Sequence, residues 1–205
     1  MSGTQYIASD DSVLLRKALR SYAGGSALEI GAGNGGNLVD LCGTFDLVVG
    51  TELVKPEMGD WTAEGANLVL ADSASCLRDS VFDLVAFNPP YLRGIVEDRA
   101  VDAGVDLEVP KKFLRDAIRV VKPGGRIVFL LDQDADIDEF QRICKPRGFR
   151  VRRIASARLF YEELSVYAAE QAQRPRVGQG RLQPKMLGEA EKAGRFPRMR
   201  IVIPH

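Results

Sequence analysis

The 205-residue sequence predicts a doubly wound α/β domain, a mainly parallel sheet covered by helices on both faces. Two observations carry this. The short apolar runs "SALEI", "DLVVGTEL", "NLVLAD", "FDLVAF" and "RIVFLL" alternate with helix-like stretches, the pattern of strands buried on both sides. Near the end, "FRVRRIASARLF" and "ELSVYAA" follow one another closely and read as an antiparallel pair.

In chain order, Val13, Leu14, Ala18 and Leu19 have helical spacing after Asp10, Asp11 and Ser12, residue types that cap helices, so a helix is expected over about 10–22. The first strand runs into "GAGNGG", followed by a helix over about 35–42. Three further strands each end on a polar residue: Glu52, Asp72 and Asn88. "DLEVPKKFLRDAIRVV" is amphipathic and meets "KPGG", where proline and glycine stop a helix. "RIVFLL" is the fifth strand, and "DIDEFQRICKPRGF" a helix with its own glycine stop. Asp132, Asp134, Asp136 and Asp138 lack the glycine and distal glutamate of a calcium loop, so they read as a solvated helix start. Adding the final pair gives seven strands, the last antiparallel. That is the usual layout of class I methyltransferases and departs from the dinucleotide-binding version of the fold.

The 45% hydrophobic and 27% charged shares fit a soluble globular chain. There is neither a basic start followed by an apolar run nor an apolar stretch of bilayer length, so no membrane role and a cytoplasmic location are expected. Cys42, Cys76 and Cys144 are widely spaced and odd in number, which favours reduced, partly buried thiols over a metal site. The net charge of zero hides an asymmetry: from Gln171 onward eight basic residues face two acidic ones, a net +6. The reading is a methyltransferase-type domain over 1–170 and a basic extension over 171–205. The extension contacts RNA or the ribosome, folds back on an acidic body, or is a plain solvated tail.

Candidate binding residues gather at strand ends. Gly31, Gly33 and Gly35 alternate after Glu29, letting the backbone turn sharply and a ligand come close. Glu52 stands about 20 residues past the loop, where a carboxylate accepts from both ribose hydroxyls. Asp72, with Ser73 beside it, is placed to meet an adenine amino group. Alternating glycines preceded by an acid favour S-adenosyl-L-methionine, which has no pyrophosphate to cradle. Glu29 is then the partner of its methionine amino end, or else a cap for the loop's own amides.

"FNPPY" ends the fourth strand in the same crevice. The prolines hold the chain extended and remove amide donors. The Asn88 carboxamide and the Pro89 carbonyl then offer two acceptors for the hydrogens of a planar amino group, with Tyr91 to pack on its face. Such a nitrogen is a weak nucleophile, so positioning it against an electrophilic methyl is what the protein contributes. His205, the only histidine, is terminal, which excludes a histidine-based triad.

The ordered set of Glu29, Gly31, Gly33, Glu52, Asp72 and "NPPY" resembles the HemK-type protein-glutamine methyltransferases, over roughly residues 5–170. "YIASDDSVLL" is similar to the family's opening segment, with Ser12 at the hydroxyl position that approaches the cofactor, although Ala8 and Asp10 replace the usual Pro and Glu. The short N-terminus is similar to the eukaryotic and archaeal branch. The resemblance implies methylation of the glutamine amide in the Gly-Gly-Gln loop of a class I peptide-chain release factor. It also implies a small zinc-binding activator subunit forming a heterodimer. Two alternatives stand beside it: an amino-methyltransferase of nucleic-acid bases, and a non-catalytic cofactor-binding scaffold. The loop from Leu92 to Asp106 is expected to cover the substrate.

Overall fold

The computed structural model describes residues 10–56, 61–90, 103–104, 106–159 and 162–171. The elements are α1 Asp10–Leu19, β1 Gly24–Ile30, α2 Gly36–Leu41, β2 Phe45–Glu52, β3 Asn67–Leu70 and β4 Phe82–Phe87. They continue with α3 Glu108–Val120, β5 Val121–Asp132, α4 Ile137–Cys144, a 3-10 turn Lys145–Arg147, β6 Phe149–Leu159 and β7 Glu162–Gln171. The strands form one sheet in the order β3-β2-β1-β4-β5-β7-β6. All run parallel except β7, which pairs antiparallel with β5 on one side and β6 on the other. The last strand is therefore the inverted one, as the sequence predicts.

The central strands bury both faces, and their residues alternate between two cores. Val85 and Phe87 of β4, with Ile127 and Phe129 of β5, face Leu114 and Ala117 of α3 and Phe140 and Cys144 of α4. Leu84 and Ala86, with Val128 and Leu130, face Leu15 and Leu19 of α1 and Leu38 and Leu41 of α2. The first core contains an aromatic stack. The Phe129 ring lies 5.2 Å from Phe87, 6.0 Å from Phe140 and 5.8 Å from Tyr167, and Phe113 meets Phe87 edge-on.

Polar ties fix how these layers sit. Arg16 grips both Asp40 oxygens at 3.0 Å and Arg20 adds a contact at 2.8 Å, joining α1 to the end of α2. The hydrogen bond from Arg16 holds the Asp40 carboxyl below its ordinary range. At the amino ends of β1, β4 and β5, Asp83 accepts from the Ser26 amide at 2.9 Å, and Lys122 reaches both of its oxygens at 2.9 Å. Burial pushes the Asp83 carboxyl up, but these bonds outweigh it and hold the group below its ordinary value. A cavity of about 150 Å³ lies at this same end, lined by Tyr22, Phe45, Asp83, Gly124 and Arg126 among others. It is therefore at the opposite end of the sheet from the strand-end residues singled out above.

Several expectations are corrected. Helix α1 stops at Leu19, and its buried pair is Leu15 and Leu19, whereas Val13 is 38% exposed. An i, i+4 pair faces the sheet from a single turn, so the core face lies one step round from the predicted one. The "KPGG" segment belongs to β5, which starts at Val121 opposite Phe82; the register then jumps, so that Leu84 faces Arg126. The inserted residues bulge out, with Gly124 at a φ of +80°. Cys76 is exposed, Cys42 half-buried and Cys144 buried, where its thiol is pushed up to about 12. Asp136 caps α4 by accepting from the Asp138 and Glu139 amides, the helix start the sequence predicts. Residues 172–205 lie outside the described residues.

The stack makes a measurable demand. Phe129→Ala is expected to lower stability by about 3–5 kcal/mol, and Phe129→Leu by clearly less, as read from urea unfolding.

Candidate active site

The chain places β2 and β3 on one side of β1 and then returns to lay β4 on the other. At such a reversal the connections leave in opposite directions and a crevice opens beyond the carboxyl ends of the strands. Register sets what faces it. Ile30 lies between Thr51 and Phe87, and Glu52 lies beside Leu70. The glycine loop after Ile30, the end of β2, the turn after β3 and Asn88 after Phe87 therefore share one edge of the sheet.

The loop folds across β2. The Gly31 and Ala32 amides both donate to the Thr51 carbonyl, at 2.9 and 3.0 Å. The Gly33 amide donates to Glu52 Oε1, and the Leu53 amide to Glu52 Oε2. Glu52 is thus oriented by two backbone donors, and a carboxylate has lone pairs for about two more. Gly33, Gly35 and Gly31 all have positive φ, of +56°, +82° and +70°. A Cβ at Gly33 would meet nothing within 4 Å, whereas one at Gly35 would fall 2.9 Å from the Ala63 side chain. The first glycine leaves room in front of the loop; the second lets the loop pack behind it.

Glu29 is 2% exposed. Asn37 of α2 donates to its Oε1 at 2.6 Å, and Oε2 has no hydrogen-bond partner among the described residues. Burial pushes the carboxyl up to about 8; the Asn37 bond opposes this and the Glu52 charge adds to it. A buried acid with one spare oxygen suits a cationic amino group, which would compensate the ionised form. Together with the open space before Gly33 and the lone pairs left on Glu52, this fits the methionine and ribose ends of S-adenosylmethionine.

Asp72 and Ser73 follow β3 after one residue, Ala71, and Ser73, at a φ of +58°, is buried with its hydroxyl lacking a described partner. Helix α3 holds this turn. Lys112 Nζ lies 3.2 Å from the Asp72 carbonyl and 3.4 Å from its carboxylate. Arg119 donates to the Ala74 and Leu77 carbonyls, each at 2.6 Å, and to Asp79 at 2.8 Å. The sequence reading missed Lys112, Arg119 and also Phe113, whose ring is 3.2 Å from where a Gly31 Cβ would stand. Their only local signal is a position on the polar or apolar face of an amphipathic helix.

Asn88 is half-buried and Pro89 buried, directly after Phe87. The stacked rings behind Phe87 give that strand end a rigid support. Ser12 stands in the first turn of α1. Tyr91 and most of the segment from Leu92 to Asp106 lie outside the described residues. Among the described residues no group of acids, cysteines and histidine has the makings of a metal site. No described helix is long and apolar enough to cross a membrane.

A sheet of this order with an inverted last strand, a glycine loop after β1, an acid ending β2 and another just after β3 defines the class I methyltransferase fold. No family model matches the chain. A curated protein of Methanocaldococcus jannaschii, described as a protein N5-glutamine methyltransferase, is 30% identical over 181 residues, covering 80% of this chain and 90% of that protein. The chain belongs to this protein N5-glutamine methyltransferase family, the HemK-type enzymes. Among solved structures, the Mtq2-Trm112 complex of E. cuniculi, responsible for methylating the eRF1 termination factor, has a TM-score of 0.69 at 24% identity, with 82% of this chain and 98% of that one covered. The 16S rRNA methyltransferase RsmC of T. thermophilus, solved with AdoMet and guanosine, has a TM-score of 0.60 at 21% identity, with 83% and 45% covered.

The two loop glycines separate by stability. Gly33→Ala adds only the strain of a left-handed residue, about 1–2 kcal/mol, whereas Gly35→Ala adds an overlap as well and is expected to cost roughly 3 kcal/mol in urea unfolding.

Proposed function

We propose that the protein methylates the side-chain amide nitrogen of the glutamine in the Gly-Gly-Gln loop of a class I release factor. We further propose that it works together with a small zinc-binding partner subunit. The observation that carries this reading is Asn88-Pro89 set at the carboxyl end of β4, beside the glycine loop of β1, on a family member's fold. The factor named for the structurally similar Mtq2-Trm112 complex is of the same kind.

Each residue has a distinct task. Glu29 holds the amino end of the cofactor, the backbone of Gly31 and Gly33 lies along it, and Glu52 accepts from the ribose hydroxyls. Asp72 and Ser73 read the adenine edge, with Lys112 fixing Asp72 from behind. Ser12 closes the site from α1. When bound, the cofactor supplies an electrophilic methyl on a sulfonium that leaves as a neutral thioether. The Asn88 carboxamide oxygen and the Pro89 carbonyl accept the two hydrogens of the substrate amide and hold its nitrogen in line. Tyr91 packs on the amide plane. No side chain has to remove a proton before transfer: once the N–C bond has formed, the cationic amide is strongly acidic and gives its extra proton to solvent water.

Incubation with labelled S-adenosylmethionine, the partner subunit and the release factor is expected to label the Gly-Gly-Gln peptide. Asn88→Ala should reduce the rate by at least about 100-fold, the scale of losing one oriented hydrogen-bonding group. Label in RNA with none in the peptide would overturn the reading.

Glu29 gives an independent readout. The cofactor-free protein keeps its proton up to about pH 8, so binding a cation there at pH 7 must release it. Affinity should therefore rise with pH, by up to about tenfold per unit, and level off above about 8. Calorimetry in buffers of different ionisation enthalpy checks this, and Glu29→Gln should abolish the proton release.

A further inference from the structure

The edge of the sheet farthest from β3 is strongly basic. Between Lys145 and Arg158 there are six cations, Lys145, Arg147, Arg150, Arg152, Arg153 and Arg158, and no acid. They occupy the 3-10 turn and β6, which pairs only with β7 and so forms the sheet's outer edge. Acids of β7 neutralise part of this charge. Glu170 pairs with Arg152 at 3.5 Å and with Arg126 at 3.1 Å, and Glu163 pairs with Arg153 at 3.1 Å. Lys145, Arg147, Arg150 and Arg158 are exposed and have no ion pair among the described residues. The described acids beside them, Glu163 and Glu170, are already engaged.

Charge on an edge strand also deters strand-to-strand aggregation, but that purpose needs one or two charges, not an uninterrupted series. Five of the six cations are arginine, whose planar fork matches phosphate oxygens two at a time. An 11-residue strand extends about 35 Å, long enough to follow several phosphates. Among the described residues none of the exposed large hydrophobic ones is aromatic, and β6 itself carries no aromatic residue after Phe149, so this edge does not offer a row of rings for stacking unpaired bases. Among the described residues no helix projects from this edge to enter a major groove.

We infer that the β6 edge, from Lys145 to Arg158, is a contact surface for the sugar-phosphate backbone of structured RNA, held without base reading. The preference for RNA over DNA rests on the proposed function, which places the enzyme in translation. The surface lies on the far side of β4 from the glycine loop, so RNA bound there leaves the transfer chemistry alone. The chain leaves β7 at Gln171, whose side chain donates to the Arg147 carbonyl at 3.1 Å.

The test uses the full chain and a labelled RNA hairpin, followed by fluorescence anisotropy between 50 and 200 mM KCl. Binding should weaken linearly in log–log form with salt. Combined Arg147→Gln, Arg150→Gln and Arg158→Gln should reduce the slope by about 2–3 and the affinity at 100 mM KCl by at least about tenfold. Its melting temperature and its methyl transfer to peptide should match the parent protein, so failure here is separable from failure of the catalytic reading. Unchanged RNA affinity in the triple variant would sink the inference. So would loss of binding confined to Arg174→Gln, Arg176→Gln and Arg181→Gln, which would move the contact to the extension. Competition by polyglutamate as strong as by RNA would likewise overturn it.

Discussion

Strand β1 is hydrogen-bonded to β2 along one side and to β4 along the other, and everything at the site follows from that double pairing. Because both partners are parallel to it, all three strands finish at one edge, and the connections after β1 and β4 are pushed apart there. The glycine loop can then turn across β2 while Asn88 emerges from β4 on the other flank. The carboxylate of Glu29 is buried by the same arrangement, since it points from the middle strand into the space under α2. Its raised pKa is a consequence of topology before it is a property of function.

The layers around this strand are fastened at the end away from the crevice. Asp83, Ser26 and Lys122 join three strands at their amino ends, and Asp40 joins α1 to α2 through two arginines. Ion pairs at exposed positions add little stability singly, but these share partners and set register and direction. The energetic weight rests on the two apolar cores, and the aromatic stack extends one of them to Phe87, the residue before Asn88. Rigidity at the acceptor position is thereby drawn from the centre of the protein.

Much of this was legible from sequence because it is written locally. Apolar runs of strand length, a glycine turn and polar residues at strand ends need only near neighbours to be recognised. The inverted last strand was legible because two β-rich segments stand almost adjacent. What escaped depends on distance in sequence. Lys112 meets Asp72 across 40 residues, and Phe113 meets Gly31 across more than 80, so no spacing rule reports them. The core face of α1 was misjudged by one position because Val13 and Leu15 are equally apolar and only packing chooses between them. "KPGG" was read for its backbone chemistry alone, yet tertiary pairing with β4 recruits it into a strand by allowing a bulge.

Helix α3 touches the turn after β3 through Lys112 and Arg119, the glycine loop through Phe113, and the strand that carries Asn88 through the same ring. Donor side and acceptor side therefore lean on one common prop. A shift of that helix by a fraction of an ångström would alter the spacing of the two halves as a unit, so the distance over which a methyl group must travel is set by a part that touches neither reactant in the proposed arrangement.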